Sequence, residues 1–290
     1  MKKLALFSIF STYLLFFSSG IAVGEDFSNL AREVARGPQS DESVYFVVTD
    51  RFENGDPSND EAGLKGGRLA SGYEPTEPGW WHGGDLQGLT TRLPYIREMG
   101  FTAVWITPPV KQRYFQGSSA GYHGYWGVDF TTVDPHLGTE NDFKEMVERA
   151  HDLGLKVIVD VVANHTADLI YYKLNKTEYL DATKFPYRTA TGKAFNPAQF
   201  AGSKKFPQLK STTSFPYIPQ IAPFSKNEKK PSWLNDLTNY HNRGDSTFSG
   251  PSMMDGDFYG LDDLFTEKPE VVKGWINVWS GWIRKYRIDG

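Results

Sequence analysis

The apolar positions of the chain change their period several times, and each change marks an element. Residues 43–49 (Ser-Val-Tyr-Phe-Val-Val-Thr) form a β-branched and aromatic run ending at Asp50, which predicts a first strand. A loop rich in Gly, Asn, Asp and Pro follows, from Arg51 to about Gly84. From Gly88 to Met99 the apolar Leu89, Leu93, Ile96 and Met99 fall near helical spacing, with Gly100 as the stop. Ala103–Ile106 reads as a second strand. Thr139–Leu153 reads as a second helix, with Thr139 as N-cap, Asp142 three residues on as a capping-box carboxylate, and Gly154 at its end. Lys156–Val162 is a third strand, apolar on both faces as in a buried parallel sheet. Glu270–Tyr286 is a further helix, and Arg287–Asp289 begins a fourth strand. This alternation is the pattern of a parallel β/α fold. The stretch from His165 to Gly260 breaks it, being rich in Pro, Asn, Lys and aromatic residues with little periodicity. It is far longer than an ordinary connection and reads as an inserted irregular subdomain after the third strand.

The start of the chain changes the picture of where the protein works. Lys2 and Lys3 precede an apolar run, Leu4–Phe17, and then small residues to Gly24, with Ala22 and Gly24 placed as in an A-x-A-like cleavage site. The run is shorter than the roughly 20 residues that span a bilayer. A cleaved signal peptide over residues 1–24 is therefore expected, with a secreted or periplasmic product. There is no cysteine, which excludes a disulfide framework and a lipid-anchor cysteine, and leaves the core, with metal ions, to hold the fold. The remaining length suits one large domain. A net charge of −4 without blocks of like charge speaks against nucleic acid or anionic membranes as partners. The aromatic fraction is 15%, and many of these rings lie in Gly-rich polar contexts, where they can line a cleft for the flat faces of sugar rings.

Several polar clusters follow strand ends, where β/α barrels build their sites. Residues 160–165 (Asp-Val-Val-Ala-Asn-His) end the third strand, and residues 122–130 (Tyr-His-Gly-Tyr-Trp-Gly-Val-Asp-Phe) lie in the loop after the second. Residues 80–88 (Trp-Trp-His-Gly-Gly-Asp-Leu-Gln-Gly) and 50–60 (Asp-Arg-Phe-Glu-Asn-Gly-Asp-Pro-Ser-Asn-Asp) belong to the loop after the first. Taken singly, an Asn-His after a strand is an ordinary turn. The run around Asn54, Asp56, Asn59 and Asp60 reads equally as a solvated turn or as an oxygen-rich loop for a hard cation such as calcium. Its glycine and glutamate positions do not match an EF-hand. Asn164-His-Thr and Asn175-Lys-Thr match the glycosylation sequon, which is incidental beside a bacterial-type leader.

Together, in this order, these clusters resemble the α-amylase family of glycoside hydrolases, in particular its cyclodextrin-glucanotransferase-like and maltogenic branch. The resemblance runs from about Ser43 to Gly290; residues 260–265 (Gly-Leu-Asp-Asp-Leu-Phe) are similar to the short block that ends the family's inserted subdomain. It implies a (β/α)8 TIM barrel: residues 25–164 carrying strands one to three, 165–260 the inserted subdomain, and 261–290 a barrel continuation truncated within the fourth strand. It further implies that Tyr125 stacks on a sugar ring beside the scissile bond, with Trp126 next to it. His123 and His165 would bond that sugar's hydroxyls, and Asp160 would support the site. Asn164 and Asp263 would bind one calcium ion. Asn54, Asp56, Asn59, Asp60, Gly83 and Asp85 would form a second calcium site, with Asp56 and Asp60 where that branch often has asparagine. The implied partner is an α-1,4-glucan such as starch, handled by a monomeric retaining hydrolase or transglycosylase. Retaining chemistry needs two carboxylates about 5–5.5 Å apart. In the resembled family the nucleophile is the aspartate of a Gly-Phe-Arg-x-Asp block on the fourth strand, and the acid/base is a glutamate on the fifth. Asp289 precedes that block, so nucleophile and acid/base are expected beyond Gly290 and the chain itself is expected to be an inactive fragment. The alternatives are a non-catalytic glucan-binding protein and, more remotely, an unrelated β/α-barrel enzyme with a similar loop layout.

Overall fold

A computed structural model describes residues 42–173 and 176–290 of the chain. The expected signal peptide and Asn175 lie outside the described residues. Three strands form the central sheet: β1 (Val44–Val47), β2 (Ala103–Ile106) and β3 (Lys156–Val159), all parallel, in that spatial order. Val44 pairs with Ala103 and Ala103 with Lys156, and the register holds without a slip to Val47, Ile106 and Val159. Three long helices belong to this sheet: α1 (Leu86–Glu98), α2 (Glu140–Asp152) and α3 (Pro269–Tyr286).

Local chemistry sets each helix end. Helix α1 starts two residues earlier than its periodicity predicts, because the Asp85 side chain accepts from Gly88 N at 2.7 Å and so caps the first turn. Gly88 sits inside that turn because a Cβ there would lie 2.0 Å from the Glu53 carbonyl oxygen. Helix α2 has the expected capping box, with Thr139 Oγ1 accepting from Asp142 N and Asp142 Oδ2 accepting from Thr139 N at 2.7 Å. Helix α3 opens on Pro269, whose missing N–H costs nothing in a first turn, and ends at Arg287 in the left-handed conformation, φ 62°. The fully buried Leu89, Leu93 and Ile96 of α1, with Phe143, Met146 and Val147 of α2, share one core with Val104, Ile106 and Val157 of the sheet. Each such side chain contributes roughly 1.5–3 kcal/mol by leaving water.

Two expectations for the sheet need correction. The third strand is not buried on both faces: Val157 and Val159 are covered, whereas Lys156 and Ile158 are half-exposed. Phe46 (47% exposed) and Trp105 (39%) lie on the same open side, ring centroids 5.0 Å apart, since no second layer of the described residues covers it. The sheet is accordingly open and no closed barrel forms, because closure needs eight staggered strands and three are paired here. Residues 287–289 do not form a fourth strand either. The left-handed turn at Arg287 delays the approach to β3, so the backbone bonds between the two are confined to the last two residues: Asp289 N and Gly290 N donate to Val157 O at 2.9 and 3.3 Å, and Val159 N donates to Gly290 O at 2.9 Å.

The stretch from His165 to Gly260 folds as short antiparallel pairs and single helical turns. Residues 165–166 pair with 262–263, and residues 170–172 with 219–221. Tyr187, Phe215 and Phe265 form a second small core. A fully buried ion pair, Lys229 with Asp262, fastens it; Lys229 Nζ also donates to Tyr240 Oη at 3.1 Å, and Asp262 accepts from Leu169 N and Ile170 N.

Candidate functional site

The carboxyl end of β3 delivers Asp160, and the loop after β2 brings Tyr125 to it: Tyr125 Oη donates to Asp160 Oδ2 at 2.8 Å. The chain between His123 and Tyr125 turns at Gly124, φ 86°, where a Cβ would lie 2.5 Å from the Pro108 carbonyl oxygen. That turn stacks the His123 ring on Tyr125, centroids 5.5 Å apart and planes 18° apart, with Trp126 edge-on to His123 at 4.9 Å. His165 completes the cluster through Nε2 and the Tyr125 carbonyl, 3.1 Å apart. The structure thus brings together Tyr125, His123, Trp126, Asp160 and His165.

Protonation follows from these bonds. His123 Nδ1 accepts from Tyr125 N at 3.0 Å, so a neutral His123 carries its proton on Nε2. Burial, helped by the nearby Arg51 and His165, pushes His123 down to about 4. Burial also lowers His165, and burial plus the bond to Asp160 pushes Tyr125 up to about 12. At neutral pH the imidazoles and the phenol are uncharged, a set suited to a ligand of neutral hydroxyls. In the unfolded chain His123 titrates near 6.5 and in the folded chain near 4. The folded state binds fewer protons between these values, so stability falls as pH drops from about 6.5 toward 4. The expected result is a shallower fall for His123→Asn, whose amide oxygen can still accept from Tyr125 N as an Asx turn does. Urea midpoints at pH 7 and pH 5 check it; equal slopes in the two proteins count against it.

Two further residues organise this site and were not singled out from the sequence. The Arg51 guanidinium lies 3.7 Å over the Tyr122 ring, pairs through Nε with Asp50 Oδ2 at 2.7 Å, and donates to the Pro78 and Trp80 carbonyls at 2.9 and 2.7 Å. Asp50 Oδ1 accepts from His82 N and Gly83 N at 2.8 and 3.0 Å, and burial pushes this carboxyl up. An Asp-Arg pair directly after a predicted strand was the available signal.

The two implied cation sites differ in fit. Asp85 is wholly engaged as a hub, accepting from Gly55 N, Asp56 N, Gly88 N and Asn59 Nδ2. Asn54 Nδ2 donates to Asp60 Oδ1 at 2.7 Å, and Gly83, φ 90°, leaves no room for a Cβ, which would lie 2.4 Å from that same oxygen. Asn59 Oδ1 is buried with no hydrogen-bond partner. Burial pushes the Asp60 carboxyl up, and the Asp85 and Asp56 charges add to that. An orphaned oxygen beside mutually repelling carboxylates suits a hard cation. Among the described residues no three carboxylates or imidazoles converge by themselves, so amide and backbone oxygens would complete any shell. At the second place, Asn164 Nδ2 donates to Asp263 Oδ1 at 2.7 Å, but His241 already faces Asp263 Oδ2 at 2.9 Å. His241 is buried, which disfavours its charge, yet Asp263 and Glu267 on its two nitrogens push it up to about 10. Its positive charge occupies the place a cation would take, so the loop around Asn59 is the better fit. His241 and Glu267 lie in or near the aperiodic stretch and gave no signal in sequence.

Asp289 stands apart from all of this. Its Oδ2 accepts from Val157 N and meets His151 Nε2, each at 2.8 Å, at the start of β3. Asp160 lies three residues further along, about 10 Å at strand rise.

A parallel β/α sheet with its polar cluster at the carboxyl ends of the strands is the layout of β/α-barrel enzymes. Residues 46–290 match the profile of the alpha amylase catalytic domain. The alpha-amylase of Streptomyces lividans is 46% identical over 268 residues, which cover 91% of this chain and 29% of that protein. The cyclomaltodextrin glucanotransferase of Klebsiella oxytoca is 40% identical over 129 residues, covering 43% of this chain and 19% of that enzyme. Among solved structures, an Anoxybacillus alpha-amylase superposes with a TM-score of 0.57 at 31% identity, over 88% of this chain and 41% of that one. The chain belongs to the alpha-amylase family of glycoside hydrolases, whose catalytic domain has a TIM-barrel-type fold. It spans less than half the length of these relatives.

Proposed function

We propose that this chain carries the sugar-binding part of a retaining α-1,4-glucan hydrolase or transglycosylase exported from the cytoplasm. In this reading Tyr125 forms the platform for a glucose ring, His123 Nε2 donates to a ring hydroxyl, and Asp160 fixes the phenol. The stretch 165–260 is an inserted subdomain that closes over the site through His165. In this reading the Tyr125 cluster binds and orients the sugar, and Asp289, bonded to Val157 N and His151 at the far end of β3, has no part in the chemistry. A calcium ion held by Asn54, Asp56, Asn59, Asp60, Gly83 and Asp85 would stiffen the loop that Arg51 ties to Tyr122, whereas at Asn164 and Asp263 the charged His241 takes the place of a second ion. The observation that carries the reading is the uncharged cluster of stacked Tyr125 and His123 on Asp160 at the strand ends. Maltotriose titration by calorimetry tests it. Tyr125→Ala is expected to weaken binding by about tenfold or more, equal to 1.4 kcal/mol, and Tyr125→Phe by less, since the ring stays. Unchanged affinity in Tyr125→Ala would remove the support for this reading.

A further inference from the structure

The peptide group between Tyr125 and Trp126 is held from both sides. Its carbonyl meets His165 Nε2 at 3.1 Å, and its N–H donates to Gln112 Oε1 at 2.6 Å. The next carbonyl, that of Trp126, accepts from Arg113 N at 2.8 Å. A tilt of this peptide plane changes the direction of the bonds at the Tyr125 Cα, so the phenol would leave Asp160 Oδ2. Gln112 is 2% exposed and stands outside the ring cluster, and its side chain reaches Trp126 through a local irregularity. Val110–Gln112 pairs antiparallel with Gly127–Val133, and the register slips on both sides of Lys111. Bulges of this kind turn a side chain out of the ordinary alternation.

Gln112 is itself fixed by its surroundings. Its Nε2 donates to the Val110 carbonyl at 2.6 Å. A backbone carbonyl only accepts and a backbone N–H only donates, so these two partners set which way the side-chain amide faces. Its backbone N donates to Asp134 Oδ2 at 2.7 Å. Asp134 is fully buried; its Oδ1 accepts from His136 N at 2.9 Å and faces His136 Nδ1 at 2.8 Å. His136 Nε2 meets the Ser71 carbonyl at 2.8 Å, and the imidazole lies flat on the Trp81 indole, centroids 4.2 Å apart. The chain at Gly121 closes over the glutamine, since a Cβ there would be 2.9 Å from the Gln112 Cβ. A buried polar chain therefore runs from the loop after β1 through His136 and Asp134 to Gln112, and ends on the Tyr125–Trp126 peptide. In so dry a place each of its bonds is stronger than in water, and none can be exchanged for a water molecule without opening the core.

We propose that Gln112 is a positioning residue of the sugar site, which sets the tilt of the Tyr125 ring through the Trp126 amide. A role in binding sugar rests on the function proposed above for Tyr125; the grip on the Trp126 amide rests on the geometry alone. The test is maltotriose calorimetry on the full chain. Gln112→Met, close to glutamine in length, removes both side-chain bonds and is expected to weaken binding by about fivefold, the worth of one hydrogen bond. Made in Tyr125→Ala, the same change should weaken binding no further, because the ring it positions is gone. Gln112→Glu supplies the rescue. Burial keeps its carboxyl protonated at pH 5, where it accepts from Trp126 N and donates to Val110 O as the amide does, so binding returns close to that of the unsubstituted chain. Should Gln112→Met not fold, Gln112→Asn, whose amide is one methylene short of Trp126 N, reads the same loss. Three results overturn the positioning role: unchanged affinity in Gln112→Met, an equal loss with and without Tyr125, or a Gln112→Glu chain no tighter than Gln112→Met. In each of these, weaker binding by Tyr125→Ala leaves the sugar reading standing. If the unsubstituted chain takes up no maltotriose, that reading falls, and the sugar role of Gln112 with it.

Discussion

Lys229→Met is expected to lower the unfolding free energy by about 3–5 kcal/mol, a large share of the 5–15 kcal/mol that domains possess. Lys229 is completely buried and pairs with Asp262, itself 3% exposed. Desolvation opposes both charges, so the pair as a whole adds little net stability. Removing one member is different: Asp262 keeps its desolvation cost and loses the charge that offset it. Asp262 also accepts from Leu169 N and Ile170 N, so it cannot swing toward water without breaking the start of a strand. Burial pushes its carboxyl up even with the lysine present, so in Lys229→Met it takes up a proton more readily still. The double variant Lys229→Met/Asp262→Asn should recover much of the loss, because the amide oxygen still accepts from the two backbone donors. Urea denaturation of the three proteins checks this; a single-variant loss below about 1 kcal/mol would mean that water reaches the pair.

Gly83→Ala is the second change expected to act strongly, and it acts on one loop. A side chain there meets Asp60 Oδ1 at 2.4 Å and Asn54 Nδ2 at 2.7 Å, at a φ of 90° that itself costs an L-residue about 1–3 kcal/mol. The loop must open to admit the methyl group, which separates Asp60 from Asn59. The unsubstituted chain should melt at a higher temperature as calcium is added, by the usual linkage of binding to stability. In Gly83→Ala that rise should vanish, beyond a fixed drop in melting temperature. Thermal scans across a calcium series read both effects. A calcium response of the same size in both proteins would separate the loop from the ion.

Much of the frame was readable in the sequence, for a physical reason. Helices α1, α2 and α3 bury one face, so Leu89, Leu93 and Ile96, or Phe143, Met146 and Val147, recur at helical spacing. Their ends are set by local chemistry at Thr139 and Gly100. The first and third strands were drawn too long because apolar content does not reveal where pairing stops. The coverage of both faces of β3 was misread because Ile158 is apolar whether or not anything packs on it. The fourth strand was not foreseeable as a mere edge contact, since its delay comes from the conformation of Arg287. The Tyr125 and His123 cluster was legible because glycines punctuate it. Arg51 and His241 were not, because their partners (the Trp80 carbonyl and Tyr122, and Glu267 and Asp263) are assembled from distant segments, and no periodicity encodes a contact between loops.

The anchoring of Arg51 divides the loop after β1 into parts with unequal evolutionary freedom. Residues 78–85 hold two carbonyls toward its guanidinium and two amides toward Asp50, so an insertion there would shift the ring of Tyr122. Residues 63–69 are exposed, and glycines 63 and 67 have open space around them. That shorter stretch is where homologous chains can lengthen, acquire a tag or exchange a whole segment without disturbing the cluster of Tyr122, His123 and Tyr125.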